Sequence, residues 1–311
     1  MDAPLNLKLS HFRLMAALSD KGRLGLAARE IGVTQPAASR LLAEAEQIVG
    51  SKLAVRHARG MDLTLTGRAL ARRSHNILVE MADMSEELRS LGRGYGGVAR
   101  IGAVTGAALG YVVPALRQLR AAASKVELQL DVAPSEQLLR GLESGRLDIM
   151  LGRLPPDADP ADFILHRARP ERVELLVRDA HPLSGRASIG LEELSEFDWV
   201  LTPRAIPIRG AVESAFQAAG VPLPHCSITT SSLLAVIALL DRSTAIAPVA
   251  GEVATLLTKV APTGLRRLPL REEITVSPYS VITMRERRLT PLAARLRNLV
   301  VEELRSPDTG G

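Results

Sequence analysis

The residues best placed to do chemistry are Thr34, Gln35, Ser39 and Arg40, which fall together at the start of a short helical pattern. Their chemistry is recognition rather than bond-making. A glutamine amide pairs a donor with an acceptor and suits adenine, a serine hydroxyl adapts as either, and an arginine suits a phosphate or a guanine edge. At about 100° per residue, Gln35, Pro36 and Ser39 project from one face with Arg40 on the flank. Ala37, Leu41, Ala45 and Ile48 are expected on the opposite, buried face. An ordinary solvated helix face would carry the same residue types. Bond-making chemistry finds no comparable set. The six histidines are scattered, the single thiol of Cys226 is isolated, and no phosphate- or dinucleotide-binding glycine motif follows a strand-like run. No catalytic residue, metal site or cofactor is expected, and Asp148 reads as a turn or strand-edge residue.

Three short helical patterns position the recognition residues. Ser10 is expected to cap a first helix that buries Phe12, Met15, Ala16 and Leu18 and closes at Asp20-Lys21-Gly22. A second runs from Leu24 to Ile31 and stops at Gly32. Thr34 caps the third, with Pro36 in its first turn. The short Gly32-Val33 link between the second and third patterns is a helix-turn-helix spacing, and Ala27 and Ala28 are small enough for close helix contact. Residues 53–65 then read as a hairpin wing turning through His57-Ala58-Arg59-Gly60, with Arg56 and Arg59 in reach of phosphate or the minor groove. His57 reads as a turn residue, since no second His or Cys lies near enough for a metal.

Charge supports this placement without deciding it. The 311 residues carry a net +5, yet residues 8–73 hold twelve Lys or Arg against five Asp or Glu, leaving the rest slightly acidic. A concentrated basic excess is the footprint of nucleic-acid binding, although a solvated basic face has the same arithmetic. Hydrophobic residues at 46% exclude a disordered chain, and one cysteine excludes an internal disulfide framework. No secretory signal is legible at the start, and the uncharged stretch Val221 to Leu240 carries Pro222, Pro224, His225 and five Ser or Thr, so no membrane span and a cytoplasmic location are expected.

The clearest punctuation is Gly92-Arg93-Gly94-Tyr95-Gly96-Gly97, read as a hinge. Before it, Leu70, Ser74, Ile77, Met81, Met84, Leu88 and Leu91 recur at alternating spacings of 4 and 3, with Thr66 as cap. Such a stripe either lies on its own domain or pairs with a second chain. A long helix ending in a glycine hinge has little of its own domain to lie on, which favours a dimerisation helix over 67–91.

Beyond residue 98, strand-like and helical runs alternate. Strands are expected at Arg100–Val104, Val126–Val132, Leu147–Leu151, Val173–Val177, Trp199–Leu201, Ser227–Thr230, Thr244–Ala247 and Tyr279–Thr283. Helices are expected at Val112–Ala123 and Gln137–Ser144, with a last one capped at Thr290-Pro291 and running to about Arg305. The pattern implies two α/β lobes, about 98–166 with 272–305 and 167–271, with a ligand cleft between them. Thr105, Ser135, Thr202 and Thr230-Ser231-Ser232 fall at strand C-terminal ends, where helix N-termini supply unpaired N–H groups. Any one of them serves equally as a helix cap; their recurrence is what suggests a ligand.

Val33-Thr34-Gln35-Pro36-Ala37-Ala38-Ser39-Arg40, then Glu46, Gly50, Leu53, Arg56 and Leu63-Thr64-Leu65-Thr66-Gly67, resembles the winged helix-turn-helix of LysR-type transcriptional regulators. Gly141-Leu142-Glu143-Ser144-Gly145-Arg146-Leu147-Asp148-Ile149, His181-Pro182-Leu183 and the Ala245 to Pro248 strand extend the likeness over nearly the whole chain. The resemblance implies a multidomain fold: an all-α winged helix-turn-helix (1–66), a linker helix (67–91), a glycine hinge (92–97) and a two-lobed, periplasmic-binding-protein-like α/β sensor domain (98–305). It further implies promoter DNA as partner, a homodimer through the linker helix assembled into a homotetramer, contact with RNA polymerase, and an inducer cleft lined by Thr105, Gly106, Ser135, Thr202, Pro203 and Thr230 to Ser232. Ala45, Val49 and Ala54 stand where the family has larger side chains, which implies a wing packed differently.

Arg153, Arg204 and the helix N-termini favour a carboxylate, so a small anionic effector, an aromatic or sugar acid, is expected. Its binding is expected to close the lobes and reorient the linker helices. An enzyme and an exported solute-binding protein are the rival readings. The first lacks a catalytic set, and the second leaves residues 1–91 unexplained.

Overall fold

The computed structural model describes residues 6–57, 60–93, 97–123, 126–168, 170–260 and 263–305, with backbone alone at 83, 86, 87 and 89–93. The chain forms two compact units, Met1–Val98 with Gly141–Leu147, and Ala99–Arg140 with Asp148–Gly311.

In the first unit, helices α1 (Leu9–Lys21), α2 (Leu24–Glu30) and α3 (Gln35–Val49) enclose a small core of Leu14, Met15, Leu18, Ala27, Ala28, Ala38, Leu42 and Ala45. Glycines at Gly22, Gly32 and Gly50 take positive φ of 61°, 72° and 75°, so each helix stops where only glycine adopts a left-handed turn cheaply. Two local expectations shift. The entry to α1 is at Lys8 rather than Ser10, with Lys8 N donating to His11 Nδ1 at 3.0 Å, and Phe12 is only half-buried while His11 and Leu14 fill the core. The buried stripe of α3 is Ala38, Leu42 and Ala45: Ala45 is buried as expected, but Ala38 and Leu42 take the places expected of Ala37 and Leu41, which with Ile48 are only half-buried. The sequence doubles its apolar residues at 37–38 and 41–42, so periodicity alone fits either phase.

The wing is the antiparallel pair β1 (Ala54–His57) and β2 (Gly60–Leu63). Helix α4 (Leu65–Arg93) leaves it directly. Its cap is Thr64 rather than Thr66, with Thr64 Oγ1 accepting from Gly67 N at 3.0 Å and donating to Lys52 O at 2.7 Å. Gly67 lies so close to Leu53 that a Cβ there would collide with the Leu53 carbonyl oxygen. The first turns of α4 pack on α1 through buried Ala71 and Ser74, with His75 Nε2 3.3 Å from Asp20, so this half of the heptad stripe does lie on its own domain. Further along, Ile77, Met81, Met84 and Leu88 are exposed, while the Leu91 side chain lies outside the described residues. The helix runs through Gly92 and Arg93, so the expected hinge starts no earlier than Gly94, and 94–96 lie outside the described residues.

The second unit contains two lobes. In the first, β3 (Val98–Ala103) leads to α5 (Thr105–Ala107) and, through one π-type turn, to α6 (Val113–Ala122). β4 (Glu127–Val132), α7 (Ser135–Glu143), β5 (Ile149–Gly152) and β6 (Phe163–Arg167) follow. The chain then passes to the second lobe, with β7 (Glu171–Arg178), β8 (Asp198–Leu201), α8 (Pro207–Ala218), β9 (His225–Thr229), α9 (Leu233–Asp241), β10 (Ala247–Ala250), α10 (Gly251–Thr255), β11 (Leu265–Arg267) and β12 (Ile274–Val276). It returns with β13 (Ser280–Met284) and α11 (Pro291–Arg305), the latter capped by Thr290 as expected. The first sheet has the order β4-β3-β5-β13-β6, with β3 and β5 parallel and β13 antiparallel to its neighbours. In the second, β10, β11 and β12 each pair antiparallel with β7, and β8 and β9 form a parallel pair. Because β12 pairs with β7, residues 274–276 belong to the second lobe, and the lobe boundary falls later than residue 272.

Each lobe has its own apolar core, one around Ile101, Leu119, Ile149 and Val281, the other around Trp199, Phe216, Leu191 and Ile246. His181 serves the second core. Its Nδ1 accepts from Leu183 N at 3.1 Å and its Nε2 donates to Thr244 O at 3.1 Å, and burial holds its pKa below the ordinary value. Asp148 sits just before β5, as a strand-edge residue would. It accepts from Arg100 N at 2.8 Å and forms a buried ion pair with Arg287 at 2.9 Å. Among the described residues no helix is long and apolar enough to cross a membrane.

Candidate nucleic-acid interface and sensor cleft

At the start of α3, Thr34 Oγ1 accepts from Ala37 N at 3.4 Å and sets the direction of the first turn. Gln35, Pro36, Ser39 and Arg40 are all exposed there, Pro36 and Arg40 on the face opposite Ala38 and Leu42, and Gln35 and Ser39 at its edge. Gln35 Oε1 lies where a Cβ on Gly25 would be only 3.0 Å away, so a glycine in α2 makes room for the amide. A groove of about 550 Å³ runs beside it, lined by Arg23, Leu26, Arg29, Val33, Thr34 and Gln35. Arg23 and Arg29 therefore border Thr34 and Gln35. Their signal in the sequence is two cations at the start and end of the helix before the turn, outside the helix whose side chains are expected to meet bases. Arg56 is exposed on β1, His57 Nε2 lies 3.3 Å from Asp62 in the adjoining strand, and Arg59 lies outside the described residues.

Glu46 ties the far end of α3 to the wing. It accepts from Leu53 N at 3.0 Å and from Lys52 Nζ at 2.6 Å. Burial works to raise its pKa, but the bonds from Lys52, Leu53 N and Ala54 N and the lysine charge together hold it below the ordinary carboxylate value. Ala45 and Ala54 are both buried in the same core as Leu53, so the small side chains sit in close packing at this joint.

In the second unit the expected cleft hydroxyls divide into pairs. Thr230 N donates to Leu201 O at 3.0 Å, which brings the end of β9 beside Thr202 and Pro203 at the end of β8. Thr202 Oγ1 is buried and has no hydrogen-bond partner among the described residues. Thr230 Oγ1 accepts from Ser232 N at 3.1 Å, Ser232 Oγ caps α9 at Ala235 N at 3.3 Å, and Ser231 is exposed. In the other lobe Thr105 is exposed and Ser135 Oγ accepts from Arg153 N at 3.0 Å.

Two further members of the expected set face the lobe contact. Gly106 is buried, and a Cβ on it would lie 2.7 Å from Ala250 Cβ. The Arg153 guanidinium is not free for an acid: it pairs with Glu171 and donates to Ser277 O at 2.7 Å. That corrects the use of Arg153 as an anion receptor. Arg204 is exposed. Glu171 is itself buried, and its pKa is raised, first by burial and then by the Glu252 charge, against the opposing pull of Arg153. Sequence reasoning missed Glu171, Glu252, Tyr111 and Tyr279, which no local spacing connects.

Residues 9–68 match the model of the bacterial regulatory helix-turn-helix protein, lysR family, and residues 92–305 match that of the LysR substrate binding domain. The chain belongs to the LysR family. As a LysR-family transcriptional regulator it joins a helix-turn-helix DNA-binding domain to a substrate-binding effector domain, and it is not an enzyme. It is 40% identical over 248 residues to the HTH-type transcriptional regulator GbpR of Rhizobium radiobacter, covering 79% of this chain and 82% of that protein. The GbpR of Azospirillum brasilense is 31% identical over 288 residues, covering 92% and 83%. Full-length CbnR in complex with target DNA shares the LysR fold at a TM-score of 0.53 and 20% identity, over 96% of this chain and 99% of that one. A full-length OxyR variant from Pseudomonas aeruginosa does so at 0.61 and 19%, over 98% and 97%.

Proposed function

We propose that this LysR regulator reads promoter DNA with the first turn of α3. In this reading Gln35, Pro36 and Ser39 lie against base edges, and Thr34, Arg40, Arg56 and Arg59 lie on or near phosphates. One observation carries it: the four polar and imino side chains at 35, 36, 39 and 40 are exposed on a helix whose other face is packed into the three-helix core. The Arg23 and Arg29 groove adds positive charge beside them. The exposed Ile77, Met81, Met84 and Leu88 are the seam through which two chains pair, and a pair of such dimers forms the tetramer. Contact with RNA polymerase follows from membership of the family. Gln35→Ala or Ser39→Ala is expected to weaken binding to the chain's own upstream DNA by about 1–3 kcal/mol and to relax base preference, measured by fluorescence anisotropy. Unchanged affinity and preference in both variants would remove the assignment.

A small effector between the lobes modulates that binding, with the Thr202 hydroxyl as the contact best supported by its unmet hydrogen bond. The acidic character expected of it rests on Arg204 and the exposed helix N-termini, since Arg153 is engaged by Glu171. A thermal-shift screen of small acids against their neutral amides tests the charge. Stabilisation by the acids is expected, and stabilisation by the amides alone overturns it.

A further inference from the structure

The two lobes meet through polar side chains that neither DNA reading nor effector contact employs. Gly106 and Gly110, four residues apart after β3, open a flat notch in the first lobe. A Cβ on Gly110 would lie 2.6 Å from Glu252 Cγ, just as one on Gly106 would lie 2.7 Å from Ala250 Cβ. The start of α10 therefore rests on bare backbone. Around it, Tyr111 Oη at 3.2 Å and Tyr279 Oη at 3.0 Å both donate to Glu252 Oε1, and the two rings stand edge to face at 6.1 Å. Burial and the two carboxylates push the Tyr279 hydroxyl pKa upward, so it stays a donor. Arg153 lies 4.9 Å from the Tyr279 ring centre while it pairs with Glu171 and holds Ser277 O. Ser277 belongs to the short strap between β12 and β13, one of two crossings between the lobes.

The contact has a polarity. Its side-chain donors, Tyr111, Tyr279 and Arg153, come from the first lobe, and its acceptors, Glu171 and Glu252, come from the second. Parting the lobes strips two carboxylates of their donors at once.

We infer that this donor-to-carboxylate contact, seated on the Gly106–Gly110 notch, is a lock that holds the two lobes against each other. The inference rests on the two lobes being the sensor of the regulator, but its test needs neither DNA nor effector, so a failed DNA-binding assay leaves it standing.

The test is hydrogen–deuterium exchange on the ligand-free full chain, comparing wild type with the double variant Tyr111→Phe/Tyr279→Phe and with Glu252→Ala. Peptides covering 104–112, 250–256 and 276–279 are expected to exchange about ten-fold faster in both variants, the factor for one or two lost hydrogen bonds. Strand interiors at 100–103, 149–152 and 173–177 are expected to keep their wild-type rates. The double variant removes only two hydroxyls and keeps the result readable should Glu252→Ala fail to fold. Unchanged exchange at the contact overturns the lock. So does an equal rise in the strand interiors, which would make these bonds ordinary contributors to folding.

Discussion

Glu46 in the DNA-binding unit and Glu171 at the lobe contact are both carboxylates drawn out of water and paired with a cation, yet their pKa values move in opposite directions. The difference lies in the company each keeps. Glu46 gathers donors, one ammonium and two backbone N–H groups, which together outweigh its burial. Glu171 is more deeply buried, has Arg153 on one side and faces the charge of Glu252 on the other. An acid surrounded by donors makes a permanent joint. An acid crowded by a second acid makes a conditional one, because its stability depends on where a proton or a neighbour sits.

Asp148 extends the comparison to its limit, with both oxygens engaged and both partners of the ion pair nearly inaccessible. Asp148→Ala removes one member of this buried ion pair and is expected to cost about 3–5 kcal/mol in urea unfolding of the full chain. A loss under 1 kcal/mol would place this pair with ordinary surface bridges.

The smaller effect is a matter of sign. Glu46, its pKa depressed in the folded state, contributes stability that is present above the ordinary value of 4.5 and fades as pH falls through its lowered value. Glu171, its pKa raised, contributes stability that is full below 4.5 and is lost as pH rises through its raised value. Melting temperatures of Glu46→Gln and Glu171→Gln across the acid range are expected to diverge from wild type oppositely. The Glu46 deficit is greatest near neutrality and shrinks on acidification, while the Glu171 deficit grows on acidification. Parallel profiles would end the distinction.

How much of this the sequence carries depends on how local the signal is. Helix ends at Gly22 and Gly32 and the caps at Thr34 and Thr290 follow from neighbouring residues and are legible in the sequence. The phase of α3 was not, because paired apolar residues at 37–38 and 41–42 satisfy two registers. The short strands β6, β11 and β12 escaped because they are defined by their partners in the sheet rather than by a run of their own. Ser135 and Ser232 were legible as hydroxyls at strand ends, but whether each is committed to a cap or a backbone bond required coordinates. The lobe contact is the extreme case: Tyr111 and Glu252 lie 141 positions apart, and nothing in either neighbourhood names the other.

Gly67 has a mechanical consequence. Leu53 carbonyl packs against its Cα, Thr64 bonds both Lys52 and Leu53 carbonyls, and Ala71 and Ser74 bury the next turns on α1. No compliant segment separates the reading head from the rod that leaves it. Torque applied along residues 65–93 is thus delivered to the wing and to α3 without backlash, as through a shaft keyed to its gear.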